Sequence, residues 1–171
     1  AAIQKGLPLD GNQPNLLNIG TAQAPKEIEY TAEMIGSVYE QSLDSSTRRH
    51  GGVHYTPYEV AKRLARVALN ELPLGPICDP SVGGGAFLLA AAEYLAEKGA
   101  SPSKIIKDYL WGIDLDQGAI EVARASISIW GSTKVWIVLN EHLVVADSLK
   151  SGMKSFPNPP KEGFIAVIGN P

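Results

Sequence analysis

Asp79-Pro80-Ser81-Val82-Gly83-Gly84-Gly85-Ala86-Phe87-Leu88 is the stretch on which the fold of this chain turns. Before it, Pro76-Ile77-Cys78 is a short apolar run that closes on the acid Asp79. After it, an apolar helical stretch opens at Ala86 and reaches Lys98, with Gly99 placed as its cap. A strand therefore enters a glycine-rich turn and leaves it through a helix N-terminus, where backbone N–H groups can come close to a ligand. A phosphate loop is one reading, but no Lys-Ser/Thr pair follows the glycines. A dinucleotide fingerprint is another. Gly83 and Gly85 fit it, but Leu88 fills the third small position, and Asp114 lies about 30 residues on rather than the ~20 expected. Asp79 would repel a pyrophosphate and suits an ammonium group, which favours an amino-acid-bearing nucleoside. A glycine-rich turn without a ligand is the plain alternative.

Working outward, a second strand spans Tyr109 to Leu115, where Asp114 and Asp116 lie, and a helix follows from Gln117 to Trp130. Residues 133–139 suit strand and helix equally. A third strand, His142 to Ala146, ends at Asp147; residues 150–162 are a polar loop, and Phe164–Ile168 is the fourth strand. Ser101-Pro102 carries the cap-then-proline signal of a small helix. Upstream, Thr56 is placed as an N-cap, Pro57 as the first helical residue and Glu59 as its capping-box partner. That helix has Val60, Leu64, Val67 and Ala68 on its apolar side. Ile28, Met34, Ile35, Val38, Tyr39 and Leu43 give an amphipathic helix over Ile28–Leu43. The chain thus divides into a loosely ordered lead-in (1–27), a helix and polar loop (28–52) and a main domain (53–171). Alternation of this kind implies an α/β fold, a mostly parallel sheet with helices on both faces, whose ligands sit at the carboxyl ends of the strands.

The 171 residues, 44% hydrophobic and 19% charged, suit one globular domain. A net charge of −3 argues against a chain that coats nucleic acid, so any DNA contact must be local or carried elsewhere. One cysteine, Cys78, allows no internal disulfide and points to a reducing, cytoplasmic setting; as a strand residue it is expected to be buried and inert. No run approaches the ~18 apolar residues of a membrane span. His50, His54 and His142 lack metal-ligand spacing, so no metal is expected. Trp111, Trp130 and Trp136 read as core. Arg48, Arg49, Lys62, Arg63 and Arg66 form a basic patch that suits DNA phosphate or, equally, a solvated face. The chain starts without Met and stops just after an apolar run, so both ends read as boundaries of a piece truncated after strand four.

Asp-Pro-x-x-Gly-x-Gly-x-Phe-Leu resembles motif I, the cofactor loop of amino-methylating DNA methyltransferases. Tyr55-Thr56-Pro57 resembles motif X in the gamma-type arrangement. Gly112-Ile113-Asp114-Leu115-Asp116 is similar to motif II and Ala146-Asp147-Ser148-Leu149 to motif III. Gly169-Asn170-Pro171 is similar to the first half of the Asn-Pro-Pro-Tyr/Phe of motif IV. Ile35-Gly36-Ser37-Val38-Tyr39-Glu40, with Arg48, Arg49 and Gly52, resembles the helical lead-in of type I and fused type II modification enzymes. Five blocks in order over residues 53–171 make the resemblance specific. Two departures stand out: Val82-Gly83-Gly84-Gly85 where Cys-Gly-Ser-Gly is common, and no second proline or aromatic in motif IV.

The resemblance implies a Rossmann-like fold that binds S-adenosyl-L-methionine and methylates adenine N6 in double-stranded DNA. The expected setting is a restriction–modification or phage-defence system, with a restriction or specificity subunit or a fused nuclease as partner. It implies that Asp114 and Leu115 hold the ribose, Asp147 and Ser148 the adenine edge, and Asp79, Pro80 and Ser81, with Gly83 and Gly85, the methionine end. Tyr55, Thr56 and Pro57 border that end. Asn170 and Pro171 would accept the two N–H bonds of the target amine and stabilise charge growing on its nitrogen. Lacking the aromatic that would stack on a flipped base, this stretch alone is expected not to methylate DNA. A protein-glutamine or RNA methyltransferase is the neighbouring alternative, though glutamine enzymes generally lack a Tyr-Thr-Pro before motif I. A non-catalytic subunit that binds cofactor or a partner is the other, since strand four would offer an edge for self-association.

Overall fold

The computed structural model describes residues 31–42, 56–132 and 136–171. The lead-in 1–27, the start of the first helix at Ile28, the polar loop with Arg48, Arg49, His50 and His54, and Tyr55 lie outside the described residues.

Four strands, β1 (Ile77–Asp79), β2 (Leu110–Asp114), β3 (Leu143–Val145) and β4 (Ala166–Val167), form one sheet in the order β3-β2-β1-β4. All three pairings are parallel, with Ile77 beside Leu110 and Ala166, and Gly112 beside Leu143. The chain steps outward from β1 to β3 and then returns to the far side of β1. The strand order therefore reverses between β1 and β4, the place where open α/β sheets hold their ligands.

Among the described residues, six of the seven α-helices are α1 (Ala32–Ser42), α2 (Tyr58–Leu69), α3 (Ala86–Glu97), α4 (Pro102–Lys104), α5 (Gln117–Gly131) and α6 (Trp136–His142). The seventh, α7, is one turn at Ser148–Ser151. Ser101 caps α4 by accepting from Lys104 N–H, and Asp116 caps α5 by accepting from Gly118 N–H at 2.9 Å. Alternate strand residues face opposite ways, as the pleat requires. Ile77, Leu110 and Leu143 join Leu88, Leu95, Ile120 and Ile127 in the main core. Cys78, Trp111 and Ile113 turn to the other face, where Phe156 and Phe164 close over them. Cys78 is buried and its thiol is pushed up to about 12 by burial. Trp111 is buried in this second cluster and Trp130 packs against the main core; the Trp136 side chain lies outside the described residues.

Several local expectations are corrected. Ala61, Ala65 and Leu69 are the buried residues of α2, while Val60, Leu64 and Val67 are 44%, 52% and 78% exposed. Small side chains let α2 lie close on the alanine-rich α3; the larger apolar stripe is turned outward. In α1, Gly36 is buried and Met34 and Val38 are exposed for the same reason. Thr56 does not cap α2. Pro57 O accepts from Val60 and Ala61 N–H, no side chain caps the helix, and the Thr56 hydroxyl is engaged elsewhere. The ambiguous stretch is helical from Trp136 to His142, so β3 begins one residue later than His142. The polar segment after Asp147 holds α7 and a 3-10 turn at Gly152–Ser155. Of the basic patch, Lys62 pairs with Glu93 at 3.0 Å and Arg66 with Glu97 at 2.6 Å, while Arg48 and Arg49 lie outside the described residues.

Candidate functional site

Each strand delivers a polar group to the same edge of the sheet: Asp79 ends β1, Asp114 ends β2, Asp147 follows β3 and Asn170 follows β4. Backbone bonds latch these ends together. Val82 N–H donates to Ile113 O, Ala146 N–H to Asp114 O, and Ile168 N–H to Cys78 O, each at 2.9 Å. The result is a cleft of about 400 Å³, within the size range of small-ligand sites.

Asp79 is the buried member, 1% exposed, and its carboxylate accepts from Ser81 N–H at 3.0 Å. Burial, reinforced by the nearby Asp114 charge, pushes its pKa up to about 7. Asp114 uses both oxygens to fix the loops around it: Oδ2 accepts from Gly83 N–H at 2.8 Å and Oδ1 from Asp116 N–H at 2.9 Å. Asp147 caps α7 by accepting from Leu149 and Lys150 N–H, and pairs with Lys150 at 2.9 Å. The Lys150 ammonium holds its carboxyl below the usual range.

Asn170 Nδ2 donates to Thr56 Oγ1 at 3.2 Å, joining groups 114 residues apart across the mouth of the cleft. Both residues line the cleft, and the bond leaves Oδ1 as the acceptor atom of the Asn170 amide. Gly169 comes up against Asp79, and a β-carbon there would collide with the carboxylate. Only glycine lets the Asn170 segment pass so close.

Of the residues singled out in the sequence, Thr56, Asp79, Pro80, Ser81 and Gly83 line the cleft. Asp114, Leu115, Asp147, Ser148, Asn170 and Pro171 line it too. Two do not. Gly85 stands behind the wall as the N-cap of α3, at φ 93° with Ala123 Cα 3.2 Å from where its β-carbon would lie. Pro57 is the exposed cap residue of α2. Val82, Ala86, Phe87, Ala146 and Leu149 also line the cleft and were not singled out. All five lie within the quoted stretches, so their place in the sequence was the available signal.

The donor set suits a nucleoside carrying an amino acid. Among the described residues no Lys or Arg lines the cleft, so these residues offer a phosphate-rich ligand no countercharge, whereas an ammonium group would meet carboxylates. Leu115 and Leu149, both exposed at the mouth, offer apolar surface to a ring. Among the described residues no cluster of His, Cys, Asp or Glu could hold a metal, and no helix is long and apolar enough to cross a membrane.

The type II methyltransferase M.VspI of Vibrio sp. (strain 343) is 31% identical over 99 residues, covering 58% of this chain and 22% of its own length. The chain spans only about a fifth of the curated relatives it matches. The type I restriction-modification system methyltransferase subunit from Streptococcus thermophilus superposes with a TM-score of 0.51 at 23% identity, covering 82% of this chain and 28% of that one. A DrdV–DNA complex gives 0.54 at 16% identity over 70% of this chain and 13% of that one. At these identities the structural likeness is one of fold. The sequence match to the N-6 DNA Methylase family runs over residues 30–171, and the chain belongs to that family.

Proposed function

We propose that this chain binds S-adenosyl-L-methionine and forms the cofactor-holding part of an enzyme that methylates adenine N6 in double-stranded DNA. The setting is a cytoplasmic restriction–modification or phage-defence system, with a restriction or specificity subunit, or a fused nuclease, as partner. The observation that carries this reading is the Asn170 carboxamide, tied to Thr56 and presented over a cleft walled by Asp79, Asp114 and Asp147.

The cofactor, when bound, supplies an activated methyl group. The protein's share is to hold both reactants. Asp79, with Ser81, suits the ammonium end, Asp114 the ribose hydroxyls, and Asp147 with Ser148 the adenine edge. The target nitrogen is a poor nucleophile because its lone pair is delocalised into the purine ring. Asn170 Oδ1 and the Pro171 carbonyl can accept its two N–H bonds and turn the lone pair out of the ring plane. The same acceptors meet positive charge as it grows on nitrogen, without having to reorganise.

Calorimetric titration of S-adenosyl-L-methionine and S-adenosylhomocysteine into the wild type and Asp114→Ala tests the cofactor site. Saturable binding by the wild type, lost in the variant, is expected; no binding by the wild type, or equal binding by both, refutes the assignment.

A further inference from the structure

α1 reaches the cofactor loops from outside the sheet. Tyr39 donates its hydroxyl hydrogen to Asp116 Oδ2, and burial together with that carboxylate holds the phenol in its protonated, donating form. Asp116 passes the constraint inward: its N–H binds Asp114 Oδ1, while Asp114 Oδ2 binds Gly83 N–H. One helix thereby reaches the acid assigned to the ribose and the glycine-rich loop. The fit is close at two further points. A β-carbon on Gly36 would stand 2.9 Å from Gly84 O, and one on Gly118 would stand 2.6 Å from the Tyr39 hydroxyl. Neither Tyr39 nor Asp116 lines the cleft.

We propose that Tyr39 is a positioning residue of the cofactor site, acting through Asp116 to set Asp114 and the Gly83 loop, so that docking of α1 and cofactor binding are coupled. The inference rests on the cofactor reading above. Coupling is reciprocal: whatever α1 contributes to cofactor affinity, bound cofactor returns as tighter docking of α1.

Two substitutions separate positioning from bulk stability. Tyr39→Phe keeps the ring and removes the hydroxyl that binds Asp116. Gly118→Ala improves helix propensity yet displaces the Tyr39 hydroxyl. Both are measured in this chain by thermal melting, by calorimetric titration with S-adenosylhomocysteine, and by amide exchange at Gly83, Asp116 and Gly118 without cofactor. Expected are a nearly unchanged melting temperature, affinity about five- to tenfold weaker, at the low end of usual site–site coupling, and faster exchange at all three amides. Wild-type affinity and exchange in both variants overturn the proposal. If the wild type does not bind at all, the cofactor reading falls, and exchange still decides whether Tyr39 sets these loops. Combining Tyr39→Phe with Asp116→Asn should add little to either single effect, as expected of groups acting in series; full additivity counts against the relay.

Discussion

Replacing Asp79 by Asn should make the protein more stable above neutral pH and less able to bind its cofactor. Asp79 is 1% exposed, and burial raises its pKa from an ordinary 3.8 to about 7. The folded state therefore holds a proton that the unfolded chain releases between these two values. Stability from this group is complete below pH 3.8, declines as pH rises, and levels off above about 7. A shift of roughly three units corresponds to about 4 kcal/mol between the two limits. Asn mimics the protonated acid in shape and neutrality, and its oxygen can keep the bond from Ser81 N–H. The variant should match the wild type near pH 4 and exceed its stability by up to about 4 kcal/mol at pH 8, as read from urea unfolding of both proteins at several pH values. Calorimetry at pH 8 should show lost or much weaker cofactor binding by the same variant. A stability difference that does not change between pH 4 and pH 8 would refute the buried-charge reasoning. Undiminished affinity would refute the ammonium assignment.

The remaining predictions probe other parts of the fold. His142 is buried, stacks on Trp111 with ring centroids 3.5 Å apart, and has its pKa lowered mainly by burial. Its contribution to stability should therefore decline as pH falls below the unfolded value near 6.5. His142→Phe should remove that decline, and identical pH–stability curves for both proteins would contradict it. Gly85→Ala places a side chain at φ 93° against Ala123 and should destabilise by at least about 1 kcal/mol; an unchanged urea midpoint would mean the loop relaxes freely. β4 ends the sheet and Val167 is 65% exposed, so the protein should self-associate in sedimentation, and Val167→Lys should shift it towards monomer. A wild type that is monomeric throughout a concentration series sinks that idea.

The strand-then-acid pattern was legible because strands buried on both faces appear as apolar runs, and a polar residue at their ends has one natural place to go. Ser101 was legible as a cap because a cap is a local bond within one turn. The facing of α1 and α2 was not. Periodicity locates an apolar stripe, but the face that packs here is built of Ala61, Ala65 and Gly36, whose small side chains give a weak hydrophobic signal and a close approach. Thr56 shows a further limit. Its neighbours spell out a cap, yet its hydroxyl is taken by Asn170 from the other end of the chain. Asp147 plays a local part, capping α7, as well as lining the cleft, and neither use excludes the other.

The return of β4 to the far side of β1 also sets an order of assembly. β1, β2 and β3 and their connecting helices can pair as successive neighbours, closing comparatively short loops. β4 must instead reach back past both crossovers, and contacts of such long sequence separation form slowly. Asp79, Asp114 and Asp147 thus belong to the part that can assemble first, and Asn170 reaches Thr56 only when β4 is seated. During synthesis, a chain that has emerged only as far as β3 already has its three acids but not its carboxamide. Among the described strands, the one that leads to the carboxamide therefore closes the longest loop.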